Sequence, residues 1–183
     1  MSARLLGRAL ALVVVLGLLL TVPNAQATQI LAKDLPSLGR DADLVVEATV
    51  VSTRAFWNEG RTRILTAVEL DVERAHKGDA PRRVTVVQAG GELDGMRMTV
   101  HGVTQWRAGE RVLAFLEPAF DAQYRVAGFS QGKFSIRTDP DTGEEIALRP
   151  NLGVSTVGGS ARALRLPLGQ LLGEANLAVR EER

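Results

Sequence analysis

Short segments with a two-residue hydrophobic period, each followed by turn residues, constrain this chain more than any other feature. The first runs from Leu44 to Thr53, where even positions up to 50 are apolar and odd positions mix apolar with polar residues. The next runs from Ile64 to Glu73 and becomes acidic on its odd positions. Successive side chains of a strand point to opposite faces, so this period predicts strands with one face in the core and one in water.

The same signals recur along the chain. Residues 54–61 lose the alternation and are interpreted as a connection. Further strands are predicted over residues 83–89, 96–100, 111–116, 124–129, 133–137 and 144–149, of which 111–116 are apolar nearly throughout and should be buried on both faces. Glycines at positions 90, 91, 128 and 132 favour sharp bends. We therefore predict a mainly β fold, a small antiparallel barrel, closed or partly open and of OB type, rather than a sandwich.

The ends of the chain differ in character from this central part. Residues 1–27 have the three parts of a secretory signal peptide: Arg4 and Arg8, an apolar run over 9–20, and Ala25 and Ala27 at a small-x-small end. Residues 28–43 are predicted to form a lead-in with a short helical turn or loop, and residues 44–150 the barrel domain. Residues 151–183 are predicted to form a Gly/Ser-rich loop and a C-terminal helix from Pro167 to Arg180. The predicted location is periplasmic or extracellular.

Composition excludes several classes of function. The chain has no cysteine, which removes disulfides, thiolate metal sites and a cysteine nucleophile. Removing Arg4 and Arg8 from the 22 basic residues leaves 20 against 21 acidic ones, so no global charge attracts nucleic acid or an anionic membrane. No later apolar run reaches about 18 residues, so we predict no membrane span after signal cleavage.

The layout resembles two groups of proteins. The residues that carry the resemblance are Ala42–Val46, the alternation at 66–72 and His76–Gly78. They are similar to the start of netrin-like domains, the OB-type barrels found in tissue inhibitors of metalloproteinases. The same layout, continued by Gly90–Gly91 and residues 109–113 and 131–134, resembles uncharacterised exported bacterial proteins. The resemblance implies a barrel. Those inhibitors reach the protease metal with a disulfide-bonded N-terminal cysteine, which this chain lacks.

Residues 128–132 match the Gly-x-Ser-x-Gly pattern of a hydrolase nucleophile, with Ser130 at its centre. That nucleophile sits on a turn from a strand into a helix, and its acid and histidine follow later in the chain. Here residues 133–137 predict a strand, and both histidines, His76 and His101, come earlier. A serine hydrolase using Ser130 is kept as an alternative only.

Other polar groups favour structural interpretations. The run Glu69, Asp71 and Glu73 on one strand face is typical of a solvated face. Residues 139–144 faintly resemble a calcium loop, but they lack its remainder and predict a hairpin turn. His76 and His101 have no partner at ligand spacing and suit strand ends at the surface. We predict no metal site, no cofactor and no catalytic residues.

One constellation remains as a candidate binding site: Arg54, Phe56, Trp57, Arg61 and Arg63. In OB-type barrels the connection between the first two strands helps to bind ligands, and aromatic rings interleaved with arginine suit stacking. The alternative is that the two rings cap the barrel and the arginines are solubilising. The sequence therefore predicts an exported, soluble binding or interaction module without catalytic activity, whose partner is a protein, peptide or glycan and not nucleic acid. The second hypothesis is a netrin-type protease inhibitor.

Overall fold

The computed structural model describes residues 29–152, 155–158 and 162–177. The predicted signal peptide lies outside this range, as does the end of the predicted C-terminal helix. In chain order the elements are β1 (Gln29–Leu31), α1 (Leu35–Asp41), β2 (Leu44–Trp57), β3 (Ile64–Lys77), β4 (Arg83–Ala89), β5 (Gly91–Leu93), β6 (Met96–Met98), β7 (Arg111–Pro118), β8 (Tyr124–Val126), β9 (Lys133–Thr138), β10 (Glu145–Arg149), β11 (Ser155–Val157), β12 (Leu164–Pro167) and α2 (Leu168–Glu174).

Most of these strands form one eight-stranded sheet, and part of that sheet closes on itself. The order is β12-β10-β9-β7-β2-β3-β4-β8, and β8 also pairs with β7. Strands β2, β3, β4, β8 and β7 therefore make a ring, in which every pairing is antiparallel except β4 with β8. That parallel pairing is a single bridge, Val86 with Tyr124, so the ring is partly open. The predicted partly open OB-type barrel with a C-terminal helix is confirmed.

Two separate cores share the strands β2 and β7. The barrel interior is filled by small and branched apolar side chains: Leu44, Val46, Ala48, Val50, Val68, Leu70, Val84, Val86, Val112, Ala114, Leu116 and Val126. On the outer face, α1 and α2 pack over β7, β9 and β10, with Phe115 and Phe134 in edge-to-face contact at 5.9 Å between ring centroids. The predicted burial of residues 111–116 on both faces is confirmed for 112–116, because one face serves each core.

The second core corrects the prediction that β2 has one wet face. Val45 and Glu47 occupy odd positions of that strand, yet both are buried. Val45 packs into the helix-covered core, and Glu47 lies in a charged cluster with His76. The prediction that the odd positions of β2 face water holds only in the later part of the strand, where Val51 and Thr53 are exposed. A barrel covered on one side by helices leaves only part of each strand face in water.

The two helices stand on the same side of the sheet. Helix α1 begins after Asp34, whose carboxylate accepts a hydrogen bond from the Ser37 backbone N–H at 2.9 Å. Helix α2 buries Leu168, Leu171 and Leu172, as the helical period predicts. It ends at Glu174, however, and not at residue 180. Of the helices that the structure describes, none is long and apolar enough to cross a membrane.

The segment between β8 and β9 is a tight turn that holds the N-terminal lead-in. Strand β8 ends at Val126, three residues short of the predicted end, and the chain turns through residues 127–132. The buried Gln131 side chain accepts a hydrogen bond from the Lys33 N–H at 2.9 Å and donates one to the Leu31 carbonyl at 2.8 Å. A Cβ on Gly132 would lie 3.0 Å from the carbonyl oxygens of Ala127 and Phe115, so a larger residue there would press on two backbone groups of the turn and of β7.

Candidate functional site

The five residues predicted to bind ligand lie at the far end of the β2–β3 hairpin. The prediction that residues 54–57 belong to a connection is wrong, because they form the last part of β2. The connection is limited to residues 58–63, and it is closed by the Asn58 side chain, which accepts hydrogen bonds from the backbone N–H groups of Thr62 and Arg63 at 2.8 Å each. The alternation of apolar and polar residues is not visible in the sequence of residues 54–57, because β2 has a register shift between Val50 and Ser52 that changes which positions face the core.

The hairpin separates four of the five candidate residues into two pairs on opposite faces. Phe56 and Trp57 are consecutive residues of β2, opposite Leu65 and Ile64 of β3, so their side chains point to different faces. The Arg54 guanidinium lies 5.8 Å from the Phe56 ring centroid. The residues therefore do not make one continuous stacking surface.

The second pair is held by a neighbouring hairpin. The Arg61 guanidinium lies 5.6 Å from the Trp57 ring centroid. The indole N–H of Trp57 donates to Asp94, in the β5–β6 turn, at 2.9 Å, and Arg61 lies 3.8 Å from the same carboxylate. Arg63 is exposed, and its side chain has no hydrogen-bond or ion-pair partner in the part of the chain that the structure describes. Ligand binding by these five residues stays a prediction.

A concave site lies on the other side of the β5–β6 hairpin. It is a cleft of about 760 Å³ between that hairpin, the segment 99–107, the start of β9 and residues 150–152. Gly90 and Gly91 open it, because their φ angles of 100° and 142° turn the chain from β4 into β5. A Cβ on Gly91 would lie 2.8 Å from Thr66 Oγ1 and 3.2 Å from Ala55 Cβ, so β5 lies flat on the β2–β3 sheet.

The floor of the cleft is a polar cluster on β9 and on the turn before β7. Lys133 Nζ donates to Glu110 Oε1 at 2.6 Å, to Ser135 Oγ at 3.1 Å and to the Gln105 carbonyl at 3.3 Å. Ser135 Oγ donates to the same Glu110 oxygen at 2.5 Å. The Lys133 side chain is only 7% exposed and that of Glu110 is 15% exposed. A buried ammonium is therefore fully hydrogen-bonded at the bottom of an open site.

Burial and pairing act against each other on these two groups. Burial lowers the pKa of Lys133, and the hydrogen bond and attraction of Glu110 offset this only in part. Burial acts to raise the pKa of Glu110, but hydrogen bonds from Lys133 and Ser135 outweigh it and leave that pKa below its usual range. The shared hydrogen bonds favour the ionised pair, in which Lys133 donates.

The same lysine fixes the segment that forms one wall of the cleft. Lys133 Nζ lies 5.5 Å from the Trp106 ring centroid. The indole N–H of Trp106 donates to Gln88 Oε1 at 3.0 Å, and Gln88 Nε2 donates to the Thr104 carbonyl at 3.0 Å. Trp106 also packs against the barrel interior. The wall is thus attached to β4, to β9 and to the core.

The geometry gives Ser130 no catalytic partner. The residue is fully buried in the turn between β8 and β9, and its hydroxyl has no hydrogen-bond partner within the described residues. The chain continues into strand β9 and not into a helix. A nucleophilic serine needs an accessible hydroxyl with a base beside it, and among the described residues Ser130 has neither.

The two histidines occupy different environments. His101 is exposed in a turn. The His76 side chain is completely buried, contrary to the predicted surface position, and its Nε2 lies 2.6 Å from Glu47 Oε1. The hydrogen bond from His76 lowers the pKa of Glu47, with burial opposing it and Arg74 and Arg111 adding attraction. Over the described ranges, no three His, Asp or Glu side chains come together in a way that could hold a metal ion.

The acidic strand face and the acidic turn both have structural partners. Glu69 pairs with Arg83 at 2.7 Å, and Glu73 pairs with Arg111 at 3.0 Å. Asp139 accepts hydrogen bonds from two backbone N–H groups of the β9–β10 hairpin turn and pairs with Arg165. The predicted hairpin turn is confirmed, and the acidic face is partly neutralised by arginines of neighbouring strands.

Comparison with known proteins found no matching family model, no similar curated protein and no similar solved structure.

Sequence reasoning missed the polar cluster on the cleft floor. One available signal was the alternation of Lys133, Ser135 and Arg137 with Phe134 and Ile136, which places three polar side chains on one face of a strand. The sequence could not show that β9 pairs with β7 but lies outside the ring. Because of this position, the polar face of β9 lies beside the barrel interior and opens to solvent.

Proposed function

We propose that the chain is an exported binding module without catalytic activity, which holds part of a protein, peptide or glycan in the cleft beside the β5–β6 hairpin. The observation that carries this proposal is the cleft itself, whose volume of about 760 Å³ lies within the range of roughly 300–1,000 Å³ found for small-molecule sites. Export is supported by the signal-peptide pattern of residues 1–27.

The state of the floor supports binding rather than catalysis. A serine nucleophile needs a base that can take its proton. Ser135 does donate to the Glu110 carboxylate, but hydrogen bonds from Lys133 and Ser135 hold the pKa of that carboxylate below its usual range, which makes it a weak base, and Lys133 donates to both groups and accepts from neither. A cluster with satisfied hydrogen bonds serves to hold the shape of a site.

The aromatic hairpin has a place in this proposal. Trp57 and Arg61 hold the β5–β6 turn through Asp94, and the same hairpin lines the cleft with Glu92 and Arg97. This pair therefore supports the cleft wall. Arg54, Phe56 and Arg63 lie outside the cleft lining and have no part in holding the ligand in the cleft.

Two matched tryptophan substitutions test the proposal. Residues 28–183 are immobilised and challenged with a random peptide library and a glycan array. Thr99 is exposed and lines the cleft, so Thr99→Trp should fill it and abolish binding of the selected probes. Thr53 is exposed on β2 outside the cleft lining, so Thr53→Trp should leave binding unchanged. Equal binding by both variants, or probes recovered with altered mass, would overturn the proposal.

A further inference from the structure

A second groove adjoins the cleft floor. It measures about 390 Å³ and lies between residues 107–111, at the turn before β7, and residues 135–138 of β9. It shares Arg107, Glu110 and Ser135 with the cleft, so the two concavities meet above the polar cluster. At the turn itself, the space beside Gly109 is open, since no atom lies within 4 Å of where a Cβ would stand.

The charges around the two concavities are unevenly paired. The linings contain five basic residues and two acidic ones: Arg97, Arg107, Arg111, Lys133 and Arg137 against Glu92 and Glu110. Three of the basic groups have carboxylate partners, because Arg97 pairs with Glu92, Lys133 with Glu110, and Arg111 with Glu73 and Glu145.

The remaining two basic groups, Arg107 and Arg137, have no such partner. Both are exposed, and neither guanidinium makes a hydrogen bond or ion pair with any residue that the structure describes. A chain whose formal charge is only +1 thus concentrates two unneutralised guanidinium groups on one small groove. Glu110 is the only acidic residue of the groove lining and its charge is offset by Lys133, so the net charge of the groove is positive and should attract an anion.

The positive charges of Arg107 and Arg137 both repel the buried ammonium of Lys133 below the groove. Besides burial, repulsion from Arg107 and Arg137 helps to lower the pKa of Lys133. Both guanidinium groups therefore lie within electrostatic reach of the cluster below the groove. An anion placed between them would relieve this repulsion and would meet planar donors that match carboxylate, phosphate and sulfate oxygens.

We propose that this groove binds an oxyanion group of the ligand between Arg107 and Arg137. The inference rests on the proposed function and adds the chemical class of the ligand, a glycan or peptide segment that carries a carboxylate, phosphate or sulfate. The cleft holds the body of such a ligand, and the groove holds its charged end.

The test uses simple anions and matched arginine variants. Residues 28–183 are titrated with sodium acetate, phosphate and sulfate at constant ionic strength, and backbone amide shifts are followed by NMR. The expected result is saturable binding of at least one anion, with shifts at residues 107–111 and 135–138. Arg107→Gln and Arg137→Gln should each weaken it about ten-fold or more. Arg162→Gln removes an exposed guanidinium that lies outside both linings and has no hydrogen-bond or ion-pair partner among the described residues, so it should leave anion binding unchanged.

The outcomes separate this inference from the proposed function. A preference among the three anions identifies which oxyanion the ligand carries. Equal weakening by all three arginine variants would mean general charge attraction, and the absence of saturable shifts in the groove would mean that no site exists. Either result overturns the oxyanion site. If Thr99→Trp still abolishes probe binding in that case, the binding function stands and only the ligand class is wrong.

Discussion

The buried pair of Glu47 and His76 gives a quantitative prediction. The Glu47 side chain is 5% exposed and the His76 side chain is not exposed at all. Nε2 of His76 lies 2.6 Å from the carboxylate, and its Nδ1 has no hydrogen-bond partner within the described residues. Glu47→Ala would leave a fully buried imidazole with no partner on either nitrogen. Leaving a buried polar group without its hydrogen-bond partner in this way costs about 1–3 kcal/mol of unfolding free energy.

Two further substitutions separate charge from shape. Glu47→Gln keeps an acceptor for His76 but loses the charge that attracts Arg111 at 3.5 Å, so we expect a loss of about 1–2 kcal/mol. The control is Glu69→Gln on β3, whose carboxylate is 39% exposed and pairs with Arg83. An exposed pair contributes about 0–1 kcal/mol, so this variant should stay close to the parent.

Urea unfolding as a function of pH completes the test. The pKa of Glu47 is lower in the folded protein than in the unfolded chain. Its contribution is therefore fully present above the unfolded value of about 4.3 and is lost as the pH falls through the folded-state pKa. The stability difference between the parent and Glu47→Gln should shrink below about pH 4.3. A loss under about 1 kcal/mol for Glu47→Ala, or a difference that does not change with pH, would refute the reasoning.

Three other predictions concern the helix layer and the turns, the first two measured by urea or thermal unfolding and the third by limited proteolysis. Leu171→Ala should cost about 2–5 kcal/mol because the side chain is fully buried, whereas Gln170→Ala on the exposed face should change stability by less than about 0.5 kcal/mol. Gly132→Ala should cost about 1–3 kcal/mol through contact with two backbone carbonyls, whereas Gly169→Ala, exposed in α2 with open space around it, should stabilise by about 0.5–1 kcal/mol. Gln131→Leu should remove the attachment of the lead-in and speed proteolysis near residue 33, and an unchanged cleavage rate would contradict this role.

The strands were predictable because most of their pattern is local. Every strand predicted between residues 44 and 149 is present, and the acidic odd positions of β3 do face arginines and solvent. The four short strands β1, β5, β11 and β12 were not predicted, since three or four residues carry too little alternation to be recognised. The end of β2 was mistaken for a connection because the register shift near Val50 changes the phase of the pattern.

The buried charges could not be predicted because each depends on a distant partner. Glu47 has the sequence surroundings of a solvent-facing strand residue, and only the β2–β3 pairing brings His76 against it, 29 positions later. Lys133 and Glu110 are 23 positions apart and meet because β9 joins the sheet outside the ring. The order in which strands pair is a property of the whole chain, and the period of a single segment does not contain it.

The parallel bridge between β4 and β8 is the weakest strand pairing in the ring, because it joins the two strands at a single position. Strands β3 and β4 are paired along residues 65–71, whereas β4 and β8 meet at Val86 and Tyr124 alone. This contact is a seam, and local opening there breaks fewer hydrogen bonds than opening anywhere else in the ring. Amide hydrogen exchange should therefore be fastest at the seam. The strand edges that it exposes are where neighbouring molecules would pair if the protein began to aggregate.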